Sequence, residues 1–413
     1  MLPKGRRLVG RTVARRRFLF VALAVLSFVL WHNLPLLHKN GNRADRRTPK
    51  YDVDDVPHFV HRASFRVDPD LEYEERVSQA LRNIERAVIH ENGGEYVARD
   101  RIWQVMLGKN RERSEDSLAF EDENEGWEYS LVTTDTANAF IDSVFLTVPD
   151  LKDIYMAYPL DILRADLLRY LLLWYHGGYY ADTDVFPKRS IKDCPSLEPL
   201  FTPPPHHKPN ISLVIGIELD EPKASSQLMR HWRWTRRYGF IQYTLYAPRR
   251  FSPLLRETIV RALSHTRQHI QQYLLPWGPR YNEHAILEIS GPGMFTDTVL
   301  DTLSQTLPPT NKLVEQSVGA DLGVGDLMTH RSGLTQRRVT WAPFFGIKEP
   351  LCVDASEATD AMGGLCVLPV NAWGNGQRHS GSENFGSQHA CVNHRFKGSW
   401  KPWKKSWKEY FFG

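Results

Sequence analysis

The chain of 413 residues contains only four cysteines, and no two of them are spaced as a Cys-x-x-Cys pair. A zinc site built on paired cysteines is therefore not expected. We also find no internal repeat. The composition, with 42% hydrophobic and 24% charged residues, is that of a globular protein with a sizeable core.

Negative charge is scarce at the amino terminus. Residues 1–50 hold 12 Lys and Arg against one acid, Asp45, so the remaining residues carry 40 basic against 47 acidic side chains. The folded part of the chain is therefore net acidic. This excludes nucleic acid as the expected partner, because nucleic-acid binding needs positive charge on the folded surface.

Long apolar runs are scarce as well, and the principal one lies near the amino terminus. Counting through Leu37, residues 18–37 give the ~20 residues that a helix needs to span a bilayer. Seven cations precede the run and no small-x-small cleavage site follows it. We therefore predict a cytoplasmic tail at 1–17, a signal-anchor transmembrane helix at 18–37, a lumenal stem at 38–55 and a lumenal domain beyond. The alternative is a cleaved signal peptide.

The lumenal side of such a chain is oxidising, which bears on its cysteines and on glycosylation. An even number of cysteines there permits two disulfides, and Cys194, Cys352, Cys366 and Cys391 allow three connectivities. The sequon that begins at Asn210 predicts an N-linked glycan if that side chain is exposed.

Strand-like and helix-like runs alternate along residues 56–413, which we predict to be a single catalytic domain. Residues 129–135 and 212–219 are apolar and β-branched between polar segments, which indicates strands. Residues 160–176 repeat apolar side chains at helical spacing, and the two glycines that follow predict a left-handed helix end. The alternation predicts an α/β fold with a largely parallel sheet.

Two segments interrupt this alternation. Residues 108–126 are highly charged, and residues 308–364 are broken by Pro, Gly, Thr and Asp, so we expect loops or insertions at both. Residues 56–65, opened by Pro57, are expected to form a short first strand.

Two aspartates, Asp182 and Asp184, follow the predicted helix, its glycines and a short apolar run, GYYA. Both carboxylates would emerge at the carboxyl end of a buried strand, where open α/β sheets bind ligands. Carboxylates in a low-dielectric cleft favour a hard cation, Mn²⁺ or Mg²⁺, completed by substrate phosphates. A calcium loop does not fit, because an apolar tripeptide follows. The alternatives are an acidic surface turn and a lumenal phosphatase that uses Asp182 as its nucleophile.

The stretch RADLLRYLLLWYHGGYYADTDV, residues 164–185, is similar to glycosyltransferase family 32, whose motif reads Asp-x-x-Arg-Tyr, Gly-Gly-x-Tyr and Asp-x-Asp. The resemblance implies a GT-A (Rossmann-like) domain, a GDP-mannose donor, Mn²⁺ or Mg²⁺, and transfer with retention. Further matches favour the branch of fungal initiation-specific α-1,6-mannosyltransferases of the Golgi; they lie at 215–220, 240–248, 290–297, 366–377 and 389–403.

This branch implies an acceptor and a location. The expected function is α-1,6 transfer of mannose to the N-glycan core of glycoproteins by a single-pass type II Golgi membrane protein, in a complex with other Golgi mannosyltransferases. The alternative within the family is a sphingolipid mannosyltransferase acting on inositol phosphorylceramide. The short basic segment at the carboxyl end does not resemble the further membrane spans expected of that enzyme.

The resemblance also assigns roles to the residues of the main motif. Asp166, Arg169 and Tyr170 would bind the donor, and the spacing of the first two places them on one helix face. Asp182 and Asp184 would hold the metal that bridges the donor pyrophosphate and would be the catalytic pair.

The closing segment adds a further group of residues by resemblance. His394 is implied as a late metal ligand, and Ser399, Trp400 and Lys401 would cover and neutralise the leaving phosphate. Acidic candidates near the acceptor, without an assignable base role, are Glu218, Asp220 and Asp297. One departure stands at the first strand, where His61 is kept but Ser64, beside Phe65, replaces the family's Trp; if that aromatic stacks on the base, the base preference is affected.

Overall fold

The structure, a computed structural model, describes residues 63–93, 96–108, 112–203, 209–273, 278–320, 327–330, 333–336, 339–357 and 362–396. The predicted tail, transmembrane helix and stem, together with His61, Ser399, Trp400 and Lys401, lie outside the described residues. Within the described part of the chain, no helix has the length and apolar character needed to cross a membrane.

Helices and strands alternate through the described residues, as the sequence predicts. The helices are α1 (Leu71–Glu91), α2 (Glu115–Asp122), α3 (Thr134–Val144), α4 (Leu151–Ala157), α5 (Asp161–His176), α6 (Glu198–Phe201), α7 (Ser226–Trp232), α8 (Pro253–Gln271), α9 (Glu283–Ile289), α10 (Pro292–Thr306), α11 (Lys312–Ala320) and α12 (Val370–Trp373). The strands are β1 (Arg101–Val105), β2 (Glu128–Val132), β3 (Gly178–Ala181), β4 (Val185–Pro187), β5 (Leu213–Asp220), β6 (Tyr238–Phe240), β7 (Thr244–Ala247), β8 (Leu327–His330), β9 (Gly333–Gln336), β10 (Leu351–Val353), β11 (Leu365–Leu368) and β12 (Val392–His394).

The main sheet has the strand order β10-β11-β5-β7-β3-β1-β2, with β6 paired to β5. The pairs β1–β2, β1–β3 and β5–β11 are parallel. The α/β architecture is confirmed with a sheet rich in parallel pairs, but β7 runs antiparallel to both β3 and β5. The three-residue link 241–243 lets the chain continue along β5 from β6 into β7, without the helical crossover that a parallel neighbour requires.

At this link the strand that pairs with β5 changes from β6 to β7. β6 pairs with the carboxyl end of β5, with Tyr238 opposite Asp220, whereas β7 pairs nearer its amino end, with Tyr246 opposite Val214. The chain therefore runs along β5 from its carboxyl end toward its amino end and reaches a position between β5 and β3. Two residues of the link, Gln242 and Tyr243, line a cavity beside the end of β3.

Helix α5 and strand β3 confirm the central prediction from the sequence. Helix α5 buries ten of its residues and ends at Gly177, whose φ of 69° is positive as expected. Its ψ of −162° lies outside the left-handed helical region, so the chain turns directly into the strand. A Cβ on Gly177 would stand 2.4 Å from the Cβ of Ala98, and one on Gly178 would stand 2.5 Å from the carbonyl oxygen of Arg101. Only glycine fits this close approach.

The structure corrects three local predictions. The charged segment 108–126 contains α2, which is capped by Ser114 and buries Phe120. The segment 308–364 contains α11, the hairpin β8–β9 and edge strand β10. Residues 64–66 form a 3₁₀ helix rather than the end of a strand. In each case the element is too short for the sequence periodicity to predict it, and tertiary contacts stabilise it.

Two disulfides resolve the cysteine connectivity. Cys352 pairs with Cys366 across β10 and β11, and Cys194 pairs with Cys391 over a sequence separation of 197 residues. The second bond links the chain after β4 to the residue that precedes β12. Because β12 pairs with β4, this bond helps to fix β12 beside the end of β3.

Candidate functional site

Asp182 and Asp184 lie at the carboxyl end of buried strand β3, as predicted. The backbone N–H of Asp182 donates to the carbonyl oxygen of Tyr243 at 2.8 Å, and the amide of Gln104 donates to the Asp182 carbonyl oxygen at 3.2 Å. The Asp182 and Asp184 side chains are only 26% and 22% exposed. They are therefore not a solvated surface turn.

Both carboxylates open into a cavity of about 660 Å³. The cavity brings together five of the residues predicted from the motifs, which come from α5, the end of β3 and β12: Asp166, Arg169, Asp182, Asp184 and His394. The remaining wall includes Val105, Leu107, Ser114, Tyr180, Glu218, Gln242, Tyr243, Ile286, Gly291 and Phe396.

Arg169 connects the helix to the aspartate pair. Its Nη2 lies 3.0 Å from Asp166 Oδ1 and 3.2 Å from Asp182 Oδ1, and its Nη1 donates to the carbonyl oxygen of Gln242 at 3.1 Å. The guanidinium also lies over the ring of Tyr180, 5.1 Å from its centroid. The expected shared face of Asp166 and Arg169 is present, but it is a buried ion pair that holds the cavity wall together.

The charges of this cluster are not balanced. Burial raises the pKa of Asp166 to about 7, and burial also raises the pKa of Asp182, with Arg169 acting against both shifts. Burial disfavours the charged form of Arg169, but the attractions of Asp182, Tyr180 and Asp166 together outweigh it, and the pKa of Arg169 is raised. One guanidinium thus serves two carboxylates while Asp184 and Glu218 also line the cavity. Such an excess of carboxylates favours binding of a cation.

Tyr170, predicted to bind the donor, does not line the cavity. Its side chain is fully buried, and its hydroxyl donates to the carbonyl oxygen of Ser290 at 3.0 Å and accepts from Gln242 Nε2 at 2.6 Å. Ser290 in turn donates through Oγ to Asp166 Oδ2 at 2.8 Å. Tyr170 therefore supports Gln242 and Asp166 from behind the wall.

His394 and Asp184 meet, although 210 residues separate them in the chain. His394 Nε2 lies 3.1 Å from Asp184 Oδ1, and the ring of Tyr243 stacks on the imidazole with centroids 4.2 Å apart. The backbone N–H of Arg395 donates to the carbonyl oxygen of Asp184 at 3.0 Å. The pairing of β12 with β4 thus places the His394 imidazole next to the Asp184 carboxylate.

The predicted ligand set is only partly assembled. Asp182 Oδ1 accepts from the Tyr180 hydroxyl at 2.7 Å and contacts Arg169, so this oxygen is already engaged. Across the described ranges, no group of three or more His, Cys, Asp or Glu side chains is arranged to hold a metal ion. Asp184 and His394 nevertheless offer a carboxylate and an imidazole at the cavity, donor types that fit Mn²⁺.

The structure also assigns places to residues that the sequence analysis left without a role. Gln242 and Tyr243, in the link between β6 and β7, form cavity wall through both backbone and side chain. Both residues lie in the matched stretch 240–248, FIQYTLYAP, but nothing in its apolar pattern indicates that the chain leaves one strand and enters another there. Phe65 is buried and stacks on His265 at 4.8 Å, outside the cavity, so it is not placed to stack on a nucleotide base there.

Asn210 is exposed, which meets the condition set for glycosylation. Its backbone N–H donates to Asp354 Oδ2 at 2.6 Å, so the backbone of the site is held while the side chain faces solvent. Glycosylation of Asn210 stays a prediction.

Comparisons with known proteins agree with the motifs. Residues 111–201 match the family described as "Glycosyltransferase sugar-binding region containing DXD motif". The chain is 26% identical over 283 residues to the initiation-specific alpha-1,6-mannosyltransferase of Candida albicans, covering 68% of this chain and 65% of that protein. It is 29% identical over 253 residues to the putative glycosyltransferase HOC1 of Saccharomyces cerevisiae, covering 60% and 54% of the two chains.

One further relative and one solved structure are also similar to this chain. The initiation-specific alpha-1,6-mannosyltransferase of Schizosaccharomyces pombe is 26% identical over 306 residues, covering 73% of this chain and 63% of that protein. This chain thus spans less than two thirds of the length of each of these three relatives. The solved PaToxG glycosyltransferase is similar at a TM-score of 0.30 and 14% identity, over 57% of this chain and 80% of that one, a level that supports no inference. The chain is therefore similar, over residues 111–201, to the glycosyltransferase sugar-binding region containing a DXD motif, and over more of its length to fungal initiation-specific α-1,6-mannosyltransferases, the resemblance that its motifs predicted.

Proposed function

We propose that this chain is a metal-dependent, retaining mannosyltransferase of GT-A fold that transfers mannose from GDP-mannose to the N-glycan core of glycoproteins, in α-1,6 linkage. The observation that carries the proposal is the meeting of Asp184 with His394 beside Asp182, in a cavity at the carboxyl end of a buried strand. The names of the relatives support mannose and the α-1,6 linkage.

A divalent ion, Mn²⁺ or Mg²⁺, is part of this proposal. Asp184 and His394 would hold it directly, and Asp182 would contribute its second oxygen while Oδ1 stays on Tyr180 and Arg169. When bound, such an ion stabilises the charge that develops on the departing diphosphate. An ion at this place would also relieve the excess of carboxylates in the cavity.

The other residues of the wall bind and orient the substrates. Arg169 holds the carboxylates of Asp166 and Asp182 next to one another. Ser290 and Arg169 together orient the Asp166 carboxylate toward the donor sugar. In the reaction the bond from mannose C1 to the GDP oxygen breaks, the bond from C1 to an acceptor hydroxyl oxygen forms, and the hydroxyl proton leaves with GDP. The proposed roles of Ser399, Trp400 and Lys401 are to cover and neutralise that diphosphate.

The cellular part of the proposal rests on the sequence. The cationic tail 1–17 and the apolar run 18–37 support a type II membrane protein with its catalytic domain, 56–413, in the Golgi lumen. The Asn210 sequon and two disulfides fit an oxidising lumen. Assembly with other Golgi mannosyltransferases belongs to the same proposal.

The test is a donor screen on the full chain purified in detergent. We expect Mn²⁺-dependent turnover of GDP-mannose, lost by at least about 100-fold in Asp184→Ala and His394→Ala. His389→Ala is the matched control, because His389 is exposed and pairs with Glu383 outside the cavity. Mn²⁺ binding by electron paramagnetic resonance gives a second readout, which His394→Ala should weaken.

Three outcomes would contradict the proposal. Turnover of UDP-sugars alone would remove the donor assignment. Unchanged activity in both variants would remove the metal role. Release of phosphate from phosphomonoesters without a sugar acceptor would favour the phosphatase alternative.

A further inference from the structure

One carboxylate in the cavity, that of Glu218, makes no contact within the described ranges that stabilises the fold and is not among the proposed metal ligands. Glu218 lies near the carboxyl end of β5, where side chains alternate between the two faces of the sheet. Leu213, Ile215 and Ile217 face the larger hydrophobic core. Val214 faces the opposite core, and Glu218, at an irregularity in the pairing of β5 with β6, reaches the cavity.

The other acidic candidates for the acceptor side are occupied elsewhere. Asp220 accepts the backbone N–H of Gly346 at 2.8 Å and so fixes the segment before β10. Asp297 is buried and pairs with Arg236 at 2.9 Å. Neither residue lines the cavity. Of the three candidates, only Glu218 lines the cavity.

Glu218 differs from the other cavity carboxylates in having no cation of its own. Asp166 and Asp182 share Arg169, and Asp184 contacts His394. The Glu218 carboxylate makes no hydrogen bond or ion pair with any residue that the structure describes. Burial raises its pKa to about 7, with His394 acting in the opposite direction, so Glu218 lies near the proposed metal ligand.

A carboxylate in this setting lacks the hydrogen bonds that would compensate for its loss of water. A substrate hydroxyl can supply one, and a sugar presents several. An anionic group in contact with Glu218 cannot, because two negative charges at that distance repel each other. The position therefore selects a neutral polyol and disfavours a phosphorylated acceptor such as inositol phosphorylceramide.

We propose that Glu218 binds the acceptor: its carboxylate accepts a hydrogen bond from a hydroxyl of a neutral mannose-containing glycan and holds it beside the donor. This inference rests on the proposed function and specifies its acceptor class. Glu218 orients the hydroxyl, and the transferred proton still leaves with GDP. Removal of Glu218 therefore affects transfer to the glycan and spares the binding and the slow hydrolysis of GDP-mannose by water.

The test compares two reactions of the same full chain in detergent: mannose transfer to a neutral α-linked mannotriose, and hydrolysis of GDP-mannose without acceptor. A hydrogen bond to a charged group contributes about 1.5–3 kcal/mol, so Glu218→Ala should lower kcat/KM for the mannotriose roughly 10- to 150-fold. Hydrolysis and the KM for GDP-mannose should change less than about threefold. Glu218→Gln, whose amide oxygen still accepts, should recover part of the loss.

Glu221→Gln is the matched control, because Glu221 lies three residues further on, outside the cavity, and accepts the backbone N–H of Ser380. It should leave both reactions unchanged. An equal fall of hydrolysis and transfer in Glu218→Ala would place the contact on the donor and overturn the inference. Unchanged transfer would overturn it as well, and so would faster transfer to inositol phosphorylceramide than to the mannotriose by the unaltered chain.

Failure of the proposed function has a different signature. In that case the unaltered chain would not turn over GDP-mannose at all. The same pair of reactions would then be run with the nucleotide sugar that the screen identifies, and unchanged transfer in Glu218→Ala would again overturn the acceptor role.

Discussion

Removal of the Arg169 side chain tests whether the cavity wall depends on a buried ion pair. Arg169 is 3% exposed and makes three contacts of 3.0 to 3.2 Å, to Asp166, Asp182 and the Gln242 carbonyl oxygen. Arg169→Met retains most of the volume but leaves two buried carboxylates without a cation. Breaking a buried pair in this way costs about 3–5 kcal/mol, and we expect a loss of that size in the free energy of unfolding.

A double-mutant cycle separates this electrostatic loss from a simple loss of packing. Asp166→Asn in the Arg169→Met background removes one of the two uncompensated charges, so the pair of changes should cost less than the sum of the single changes. We expect a coupling of about 1–3 kcal/mol, typical of residues in one ion-pair network. Lys152→Met is the control, because its pair with Asp142 is largely exposed and should contribute less than about 1 kcal/mol.

Urea unfolding of the full chain in detergent, followed by tryptophan fluorescence and by circular dichroism, measures these differences. Coincident transitions from the two probes would justify a single free energy for each variant. A loss below about 1 kcal/mol in Arg169→Met, or strictly additive losses in the cycle, would refute the inference that this guanidinium neutralises buried charge.

Three further predictions concern stability and modification. Replacing Cys194 and Cys391 together by serine opens a loop of 197 residues and should lower the free energy of unfolding by roughly 5 kcal/mol on the loop-entropy model. Urea unfolding midpoints of this variant and of the unaltered chain, each with and without reductant, measure the difference. Burial lowers the pKa of His176 to about 4, below its unfolded value. The stability that comes from keeping this imidazole neutral is therefore full above pH 6.5, and up to about 3 kcal/mol of the free energy of unfolding is lost as the pH falls through 4. His176→Phe should remove this part of the acid destabilisation, and equal pH dependence of unfolding in both proteins would contradict it. Asn210→Gln should abolish a mobility shift on glycosidase treatment of secretory-pathway protein, because the exposed side chain is the predicted acceptor; a persisting shift would reassign the glycan.

The sequence was sufficient for the features that depend on neighbours along the chain. The apolar spacing of 160–176 determines α5, the following glycines determine its end, and the run before Asp182 determines β3. Together they place the aspartate pair at the carboxyl end of a buried strand, because helix and strand periods and glycine stereochemistry act over a few residues.

The sequence was insufficient where short elements depend on distant partners. The segment 308–364 appeared irregular, yet it contributes α11 and edge strand β10, whose pairing with β11 carries a disulfide. The antiparallel course of β7 was missed for the same reason. A strand of four residues has too few side chains to reveal its direction, and only the neighbouring strands decide it.

The arrangement of the site itself is a property of the tertiary structure alone. The amino-acid sequence determines that Asp182, Asp184, Arg169 and His394 are present, but not that Arg169 turns inward or that His394 meets Asp184. Those contacts join residues up to 210 positions apart, and packing of the sheet, the β4–β12 pair and the long disulfide fix them. Likewise, only the tertiary structure decides that Glu218 faces the cavity, because burial and charge pairing are set by neighbours in space.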